Sequence, residues 1–348
     1  MVRPARERPL LGLCAFGPSL ADMVDAAVAA DRAGFDSVWT SELYNRSATV
    51  TLAAIASATT DVTIGSGVIY GVGRSPLMLA AEARDLDELS GGRFVLGLGN
   101  GTRKMIADWH GLDGAAPAVR MEELVGLVRE VWDLHAKPVQ HDGRFYRLHI
   151  QGLDDLAAAP TRTIPIYTAG VNPRMVQSAG RVADGLLAHT LCSPRYLREV
   201  CGPELERGAA HAGRDPDTVA LATYALACAS HDRDEARREA AAMIAFYGSV
   251  RSYGAIFETC GFAEQAAAIQ AAFRRGDVDG MLAAVTEPMV DELAIAGTPE
   301  EVREGLRRFD RVCDHVVLSP PTFRVTPERV AENLALLASH CAPQTPAL

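Results

Sequence analysis

The 348-residue sequence has no C-x-x-C spacing among its seven cysteines, Cys14, Cys192, Cys201, Cys228, Cys260, Cys313 and Cys341. Their odd number and wide scatter exclude a zinc knuckle or a disulfide framework and leave small buried apolar residues as the ordinary reading. The nine histidines form no H-x-H or H-E-x-x-H pair, so no metal site is expected. No apolar run reaches the roughly 18 residues of a membrane span, and Met1 to Pro9 lacks the apolar core of a leader. A cytoplasmic protein with no membrane partner is expected. Positive charge is also scarce: 34 Lys and Arg stand against 44 Asp and Glu, a net charge of -10. A phosphate backbone would meet a repulsive average field, which excludes nucleic acid as a partner. Repeats of about 20 to 50 residues and low-complexity tracts are missing too, so a solenoid is excluded.

What is present is a 48% hydrophobic chain in which short apolar runs alternate with longer segments of helical period. That alternation predicts parallel strands covered by crossover helices, an α/β fold of the (β/α)8 barrel type. The length fits a single barrel domain over 1–348 with insertions near 136–160 and 232–290. The first strand is expected at 10–15 and the second at 37–40, joined by a helix with Ser19 as N-cap, Asp22 completing a capping box and Gly34 as its stop. Val62 to Ile69 reads as one continuous third strand, and 93–98 as the fourth after a helix over 75–89. Val139 to Leu148, with Asp142-Gly143 at its centre, reads as a hairpin. Strands five to eight are expected at 164–169, 185–189, 219–229 and 315–319, with a long helical excursion over 232–288 after the seventh. Thr298 and Thr326, each followed by Pro, start two late helices.

In such a barrel the reactive groups lie at the C-terminal ends of the strands, which nominates 42–46, 67–73, 99–104, 170–174, 189–195 and 319–322. Many of these residues are Gly or Ser, which let backbone approach a flat or phosphorylated ligand closely. Gly97-Leu98-Gly99-Asn100-Gly101 lacks the third glycine of a dinucleotide fingerprint, because Thr102 follows, so a Rossmann site is not expected there.

Phe35-Asp36-Ser37-Val38-Trp39-Thr40-Ser41-Glu42 followed by Tyr44-Asn45-Arg46 is similar to the second-strand motif of the luciferase-like enzymes, and of methylenetetrahydromethanopterin reductases in particular. Ile64-Gly65-Ser66-Gly67-Val68 with Arg74-Ser75-Pro76 resembles their third-strand motif, and Leu86-Asp87-Glu88-Leu89-Ser90-Gly91-Gly92-Arg93 with Leu96-Gly97-Leu98-Gly99 resembles the fourth. Ala169-Gly170-Val171-Asn172-Pro173-Arg174 and Ala183-Asp184-Gly185 match the fifth and sixth. Phe246-Tyr247, Gly261-Phe262 and Ala296-Gly297-Thr298-Pro299 are like the deazaflavin branch, so the resemblance spans residues 10–320 in order.

This resemblance implies an oxidoreductase that binds coenzyme F420 at the barrel mouth and moves a hydride between its C5 atom and a small-molecule substrate. FMN is the alternative cofactor, in a monooxygenase, and a non-catalytic ligand-binding barrel is the third reading. Carried over by position, Ser66, Gly67 and Val68 would line the rear of the ring, with Gly67-Val68 as a cis peptide. Gly170 and Val171 would donate backbone N–H groups to the cofactor phosphate at a helix N-terminus. His189 and Thr190 would add side-chain contacts, and Asn100 would bond the ring or its ribityl chain, although Asn before Gly is equally a turn residue. Glu42 is the candidate catalytic acid or base, or else a structural anchor for Arg46. Cys14, Tyr44, Arg46 and Tyr247 are candidates for contact with substrate, and Arg74 and Arg195 for an anionic group. The pair of an acid and a His common after strand two in this branch is Glu42-Leu43 here, which favours a reductase over a reaction that needs a histidine base. A homodimer through the second and third crossover helices is also implied.

Overall fold

A computed structural model describes residues 6–152 and 162–343. The strands in chain order are β1 (Leu10–Cys14), β2 (Ser37–Thr40), β3 (Thr63–Ser66), β4 (Ile69–Tyr70), β5 (Phe94–Gly99), β6 (Val139–Asp142), β7 (Arg147–Ile150), β8 (Ile166–Gly170), β9 (Gly185–Ala188), β10 (Ala220–Ala229), β11 (Ala294–Gly297) and β12 (His315–Ser319). Going round from β1, the parallel neighbours are β2, β3, β5, β8, β9, β10 and β12, and β12 pairs back onto β1 in the register Leu10↔His315. The result is a closed (β/α)8 barrel, with one strand at each of the eight predicted places.

Local chemistry sets the connections. Ser19 and Asp22 form the expected capping box on the helix Leu20–Ala33, and Gly34 ends it at φ 83°. Asp31 near the end of that helix accepts the N–H groups of Thr60, Asp61 and Val62, which fixes the entry to β3. Arg93 reaches back to the carbonyls of Ala56, Thr59 and Val62, so one guanidinium caps the helix Ala48–Ala58 and pins the start of β5 beside it. Inside the barrel Cys14, Trp39, Leu187, Ala222, Tyr224 and Val317 pack together, the alternate residues of their strands facing the surrounding helices.

The Gly67–Val68 peptide is cis, as the resemblance implies. The structure departs from the sequence reading in two places. The third apolar run is divided: β3 ends at Ser66 and β4 resumes at Ile69. β4 pairs with β5 further up than β3 does, at Ile69↔Leu98 against Ile64↔Phe94. The predicted helical excursion forms, as five α-helices between Arg233 and Leu293, and it ends in an unexpected strand, β11, on the upper half of β10. The hairpin β6–β7 forms as expected, while residues 153–161 of that insertion lie outside the described residues. No helix among the described residues is long and apolar enough to cross a membrane.

Candidate active site

The C-terminal ends of the strands gather most of the predicted residues into two connected groups. The first surrounds the cis peptide. Gly67 N–H donates to the Thr40 carbonyl at 2.8 Å and Glu42 N–H to the Val68 carbonyl at 3.0 Å, so the bulge between β3 and β4 is bolted to β2 from both sides. The Gly67 carbonyl takes two further donors, Ser41 Oγ at 2.6 Å and the Tyr224 hydroxyl at 3.2 Å. Tyr224 was not singled out in the sequence; the alternation of β10 puts it on the inward face with Ala222, which was the available signal.

Glu42 does not anchor Arg46. Its Oε2 accepts the Tyr70 N–H at 2.9 Å and Arg74 Nη1 at 2.6 Å, and Arg74 Nε reaches Glu82 at 3.2 Å. The Arg74 guanidinium, a candidate for an anionic substrate, is therefore held between two carboxylates. Arg46 instead donates to the Pro18 carbonyl, because the turn Leu43–Arg46 closes on itself and points that side chain back to the β1 exit. Arg195 lies 3.9 Å from Glu292. Ser66 is fully buried, and its hydroxyl both accepts the Gly97 N–H and donates to the Gly97 carbonyl, at 2.8 Å each, so it is committed to β5.

The second group lies across the mouth. Asn100 donates from Nδ2 to the Pro117 carbonyl at 2.9 Å, which leaves Oδ1 as a buried acceptor without a partner among the described residues. Its Nδ2 also lies 4.0 Å from Met175 Sδ, in the first turn of the helix Pro173–Val182 that follows Gly170 and Val171. Asn172 is the N-cap of that helix but makes no side-chain cap, so the side chain satisfies none of the first-turn N–H groups. The Val171 carbonyl accepts the Tyr196 hydroxyl at 3.0 Å. His189 stacks on Tyr253 at 4.0 Å and meets the edge of Tyr247 at 4.6 Å, while the Thr190 hydroxyl hydrogen-bonds the Tyr247 phenol. Leu191 N–H donates to His189 Nδ1 at 3.2 Å, which puts the ring proton on Nε2.

Burial sets the protonation of this set. It drives His189 down to about 3 and pushes the Cys14 thiol and the Tyr70 phenol up to about 12. Tyr224, Tyr247 and Tyr253 are raised by the same cause. All six side chains are neutral at physiological pH. The Tyr70 phenol is pushed up further by Glu42 and Tyr253, and Tyr247 by Tyr253, Cys14 and Tyr70, so the two groups are electrostatic neighbours.

Two cavities lie largely apart from the predicted set. A crevice of about 30 Å³ at the mouth, lined by Val72, Gly101, Arg103, Pro117 and Arg120, contains only Asn100 of them. A larger one, about 250 Å³, lies at the opposite end of the barrel against Tyr167, Asp217 and His315. Tyr44 stands 80% exposed with its ring edge on Trp109. All seven cysteines are buried free thiols, and among the described residues no cluster of three or more His, Cys, Asp or Glu could hold a metal.

Comparison with known proteins places this geometry. A family model described as luciferase-like monooxygenase matches residues 3–315. The 5,10-methylenetetrahydromethanopterin reductase of Archaeoglobus fulgidus is 31% identical over 288 residues, 81% of this chain and 84% of that protein. The enzyme of the same name from Methanolobus tindarius is 32% identical over 284 residues, 80% and 84% of the two chains. The structure of the coenzyme F420 dependent tetrahydromethanopterin reductase from Methanopyrus kandleri superposes with a TM-score of 0.76 at 24% identity, over 97% of this chain and 98% of that one, a likeness of fold.

Proposed function

The chain belongs to the luciferase-like monooxygenase family, in the branch of the methylenetetrahydromethanopterin reductases, and we propose that it uses F420 rather than FMN to reduce a small organic substrate. The observation that carries the direction is the state of the two natural bases at the mouth. His189 is driven down to about 3 by burial and spends Nδ1 on the Leu191 N–H, and Glu42 is committed to Arg74 and the Tyr70 N–H, a setting that suits hydride addition to an electrophilic carbon over removal of an alcohol proton.

The residues fit an anionic, hydroxyl-bearing cofactor. The uncapped N-terminus of the helix Pro173–Val182, with Gly170 and Val171 leading into it, would hold the phosphate through N–H groups and the positive end of the helix dipole. The orphaned Asn100 Oδ1 would accept from a hydroxyl or ring N–H, and His189 Nε2–H and Thr190 would contribute on the other side. Gly67–Val68, clamped by Ser41 and Tyr224, would form the wall behind the ring. When bound in its reduced form, F420 supplies a hydride from ring carbon C5. Glu42 acts in this reading as a positioning residue that sets Arg74 and the Tyr70 backbone beside the ring.

Titration of the purified protein with F420 and with FMN, followed by cofactor fluorescence, is expected to favour F420 by about tenfold or more, roughly 1.4 kcal/mol. The reverse ranking would replace this reading with an FMN-dependent monooxygenase, and binding of neither would leave a non-catalytic barrel.

A second copy of the chain is the proposed partner. The helix Ala48–Ala58 carries no charged residue, and its exposed Val50, with Met78 and Leu89 on the helix Pro76–Leu89, is 50–60% exposed. Light scattering is expected to give twice the 37.1 kDa chain mass, reduced to a single chain by Met78→Glu; a monomeric wild type at micromolar concentration would rule the dimer out.

A further inference from the structure

Aromatic residues are only 6% of the chain, yet many of them stand in two rows at the mouth of the barrel. One row starts at Tyr44, after β2, whose ring centroid lies 5.7 Å from that of Trp109; the Trp109 centroid in turn lies 6.4 Å from that of Tyr70 on β4. The other starts at Phe323, after β12, which stacks on Phe246 at 5.1 Å and 29°; Phe246 meets Tyr247 at 5.3 Å, and Tyr247 meets His189. The first row runs from solvent inward: Tyr44 and Trp109 are 80% and 45% exposed and Tyr70 is buried. In the second the most exposed ring is Phe246, at 39%, with Phe323 and Tyr247 half-buried on either side of it. At the inner end of the second row Tyr247 packs with His189 and Tyr253 into one cluster, with ring centroids 4.6 Å and 5.6 Å from its own, and the Tyr70 phenol at the end of the first row lies near enough for Tyr253 to act on it.

Isolated exposed aromatics are ordinary, but a continuous run from the surface to a buried neutral site keeps apolar area in water that a ligand could cover. Ring faces and edges attract another conjugated plane, each such contact adding to the area buried. The cation at the foot of the first row, Arg74, is already shared between Glu42 and Glu82, so the rows give an anionic substrate no counter-charge there.

We propose that the two rows form a slot for a flat, conjugated, uncharged substrate that carries the reducible bond, with Trp109 and Phe246 as its specificity-determining residues. This rests on the oxidoreductase reading above. For a quinone, the step transfers two electrons and one hydrogen as hydride from F420H2. The second hydrogen reaches the quinone oxygen as a proton in exchange with water, leaving hydroquinone and oxidised F420.

The test uses menadione as the flat probe and 2-cyclohexen-1-one as a small non-aromatic one. Equilibrium dialysis is run on the full chain with and without F420, beside steady-state reduction by F420H2. Trp109→Leu and Phe246→Leu are each expected to weaken menadione binding and raise its KM about fivefold, with cyclohexenone changed less than about twofold. Trp109→Phe and Phe246→Tyr should restore most of the loss, which a merely misfolded variant would not do. Equal weakening of both probes, or no weakening of menadione in either variant, overturns the slot. Failure of the wild type to bind F420 would instead strike the cofactor reading, because the dialysis without F420 judges the slot separately.

Discussion

Gly97→Ala is expected to cost about 4 kcal/mol or more, and with it the whole cofactor site. A Cβ at this position would stand 1.7 Å from the Ser66 carbonyl oxygen and 2.9 Å from its carbon. Both are backbone atoms of the neighbouring strand, so no rotamer change relieves the contact. β3 and β5 pair only at Ile64↔Phe94 and Gly65↔Val95, and the reciprocal bonds between Ser66 Oγ and Gly97 continue the seam where that pairing stops. Pushing the strands apart there breaks both bonds and displaces the Gly67–Val68 wall. Losses of this size come from a short set of causes, of which backbone overpacking in a barrel interior is one. For a chain of this length the thermal midpoint should fall by roughly 5 °C or more. Gly276→Ala, on the surface with φ 70° and nothing near its Cβ position, is the control and should cost about 1 kcal/mol. Differential scanning calorimetry checks both, and a Gly97→Ala protein as stable as the control would contradict the close approach of the strands.

Acid is expected to weaken the fold well before the carboxylates titrate. His315 sits 6% exposed at the base of the barrel, where Ser37 Oγ bridges it, at 2.7 Å, to the Trp39 indole N–H at 2.8 Å. Ser37 Oγ accepts from the indole and keeps its own proton, which it can donate to His315 Nε2 in the tautomer that leaves that nitrogen unprotonated. Burial first, and Arg6 second, push His315 down to about 4 from an ordinary imidazole value of 6.5. The unfolded chain therefore binds a proton that the folded one refuses. Stability is at its full value above about pH 6.5 and falls as pH drops from there to about 4, by about 3 kcal/mol for this one group. His189, at about 3 in the folded protein, acts in the same direction over a window that reaches lower. Urea midpoints at about pH 7.5, 5.5 and 4.5 should decline steeply. In His315→Gln, which keeps an acceptor for Ser37 but cannot charge, the decline between 6.5 and 4 should shrink. An unchanged slope in that variant would mean that His315 is not the neutral, buried acceptor described here.

The barrel was legible because each of its eight strands is an apolar run bounded by a helix cap or a glycine, and the Ser19–Asp22 and Thr298–Glu301 boxes fall where the sequence puts them. β11 was missed for a physical reason. Ala294–Gly297 is four residues without a β-branched run, and only its pairing to the far end of β10 makes it a strand. The division of the third strand is equally invisible to periodicity, since Val62 to Ile69 is apolar throughout its length apart from small residues. At the site, residues adjacent in sequence misled: Arg46 is four positions from Glu42, but the partner is Arg74, brought in from beyond β4. One member of each aromatic row, Tyr44 and Tyr247, was legible as a candidate substrate contact, but the rows themselves were not, because their members come from separate segments and meet only in space.

β10 is ten residues long, and its lower part closes the barrel against β9 and β12 while Leu226–Ala229 lies alongside β11. The five helices between Arg233 and Leu293 thus depart from one strand and return on its immediate neighbour, about 4.8 Å away across a hydrogen-bonded ladder. Loop length across so small a gap carries little entropic penalty, a doubling amounting to only about 0.6 kcal/mol. Those helices make up a cassette with its own docking clip. The cassette can therefore be lengthened at little entropic cost while the staves of the barrel stay in register.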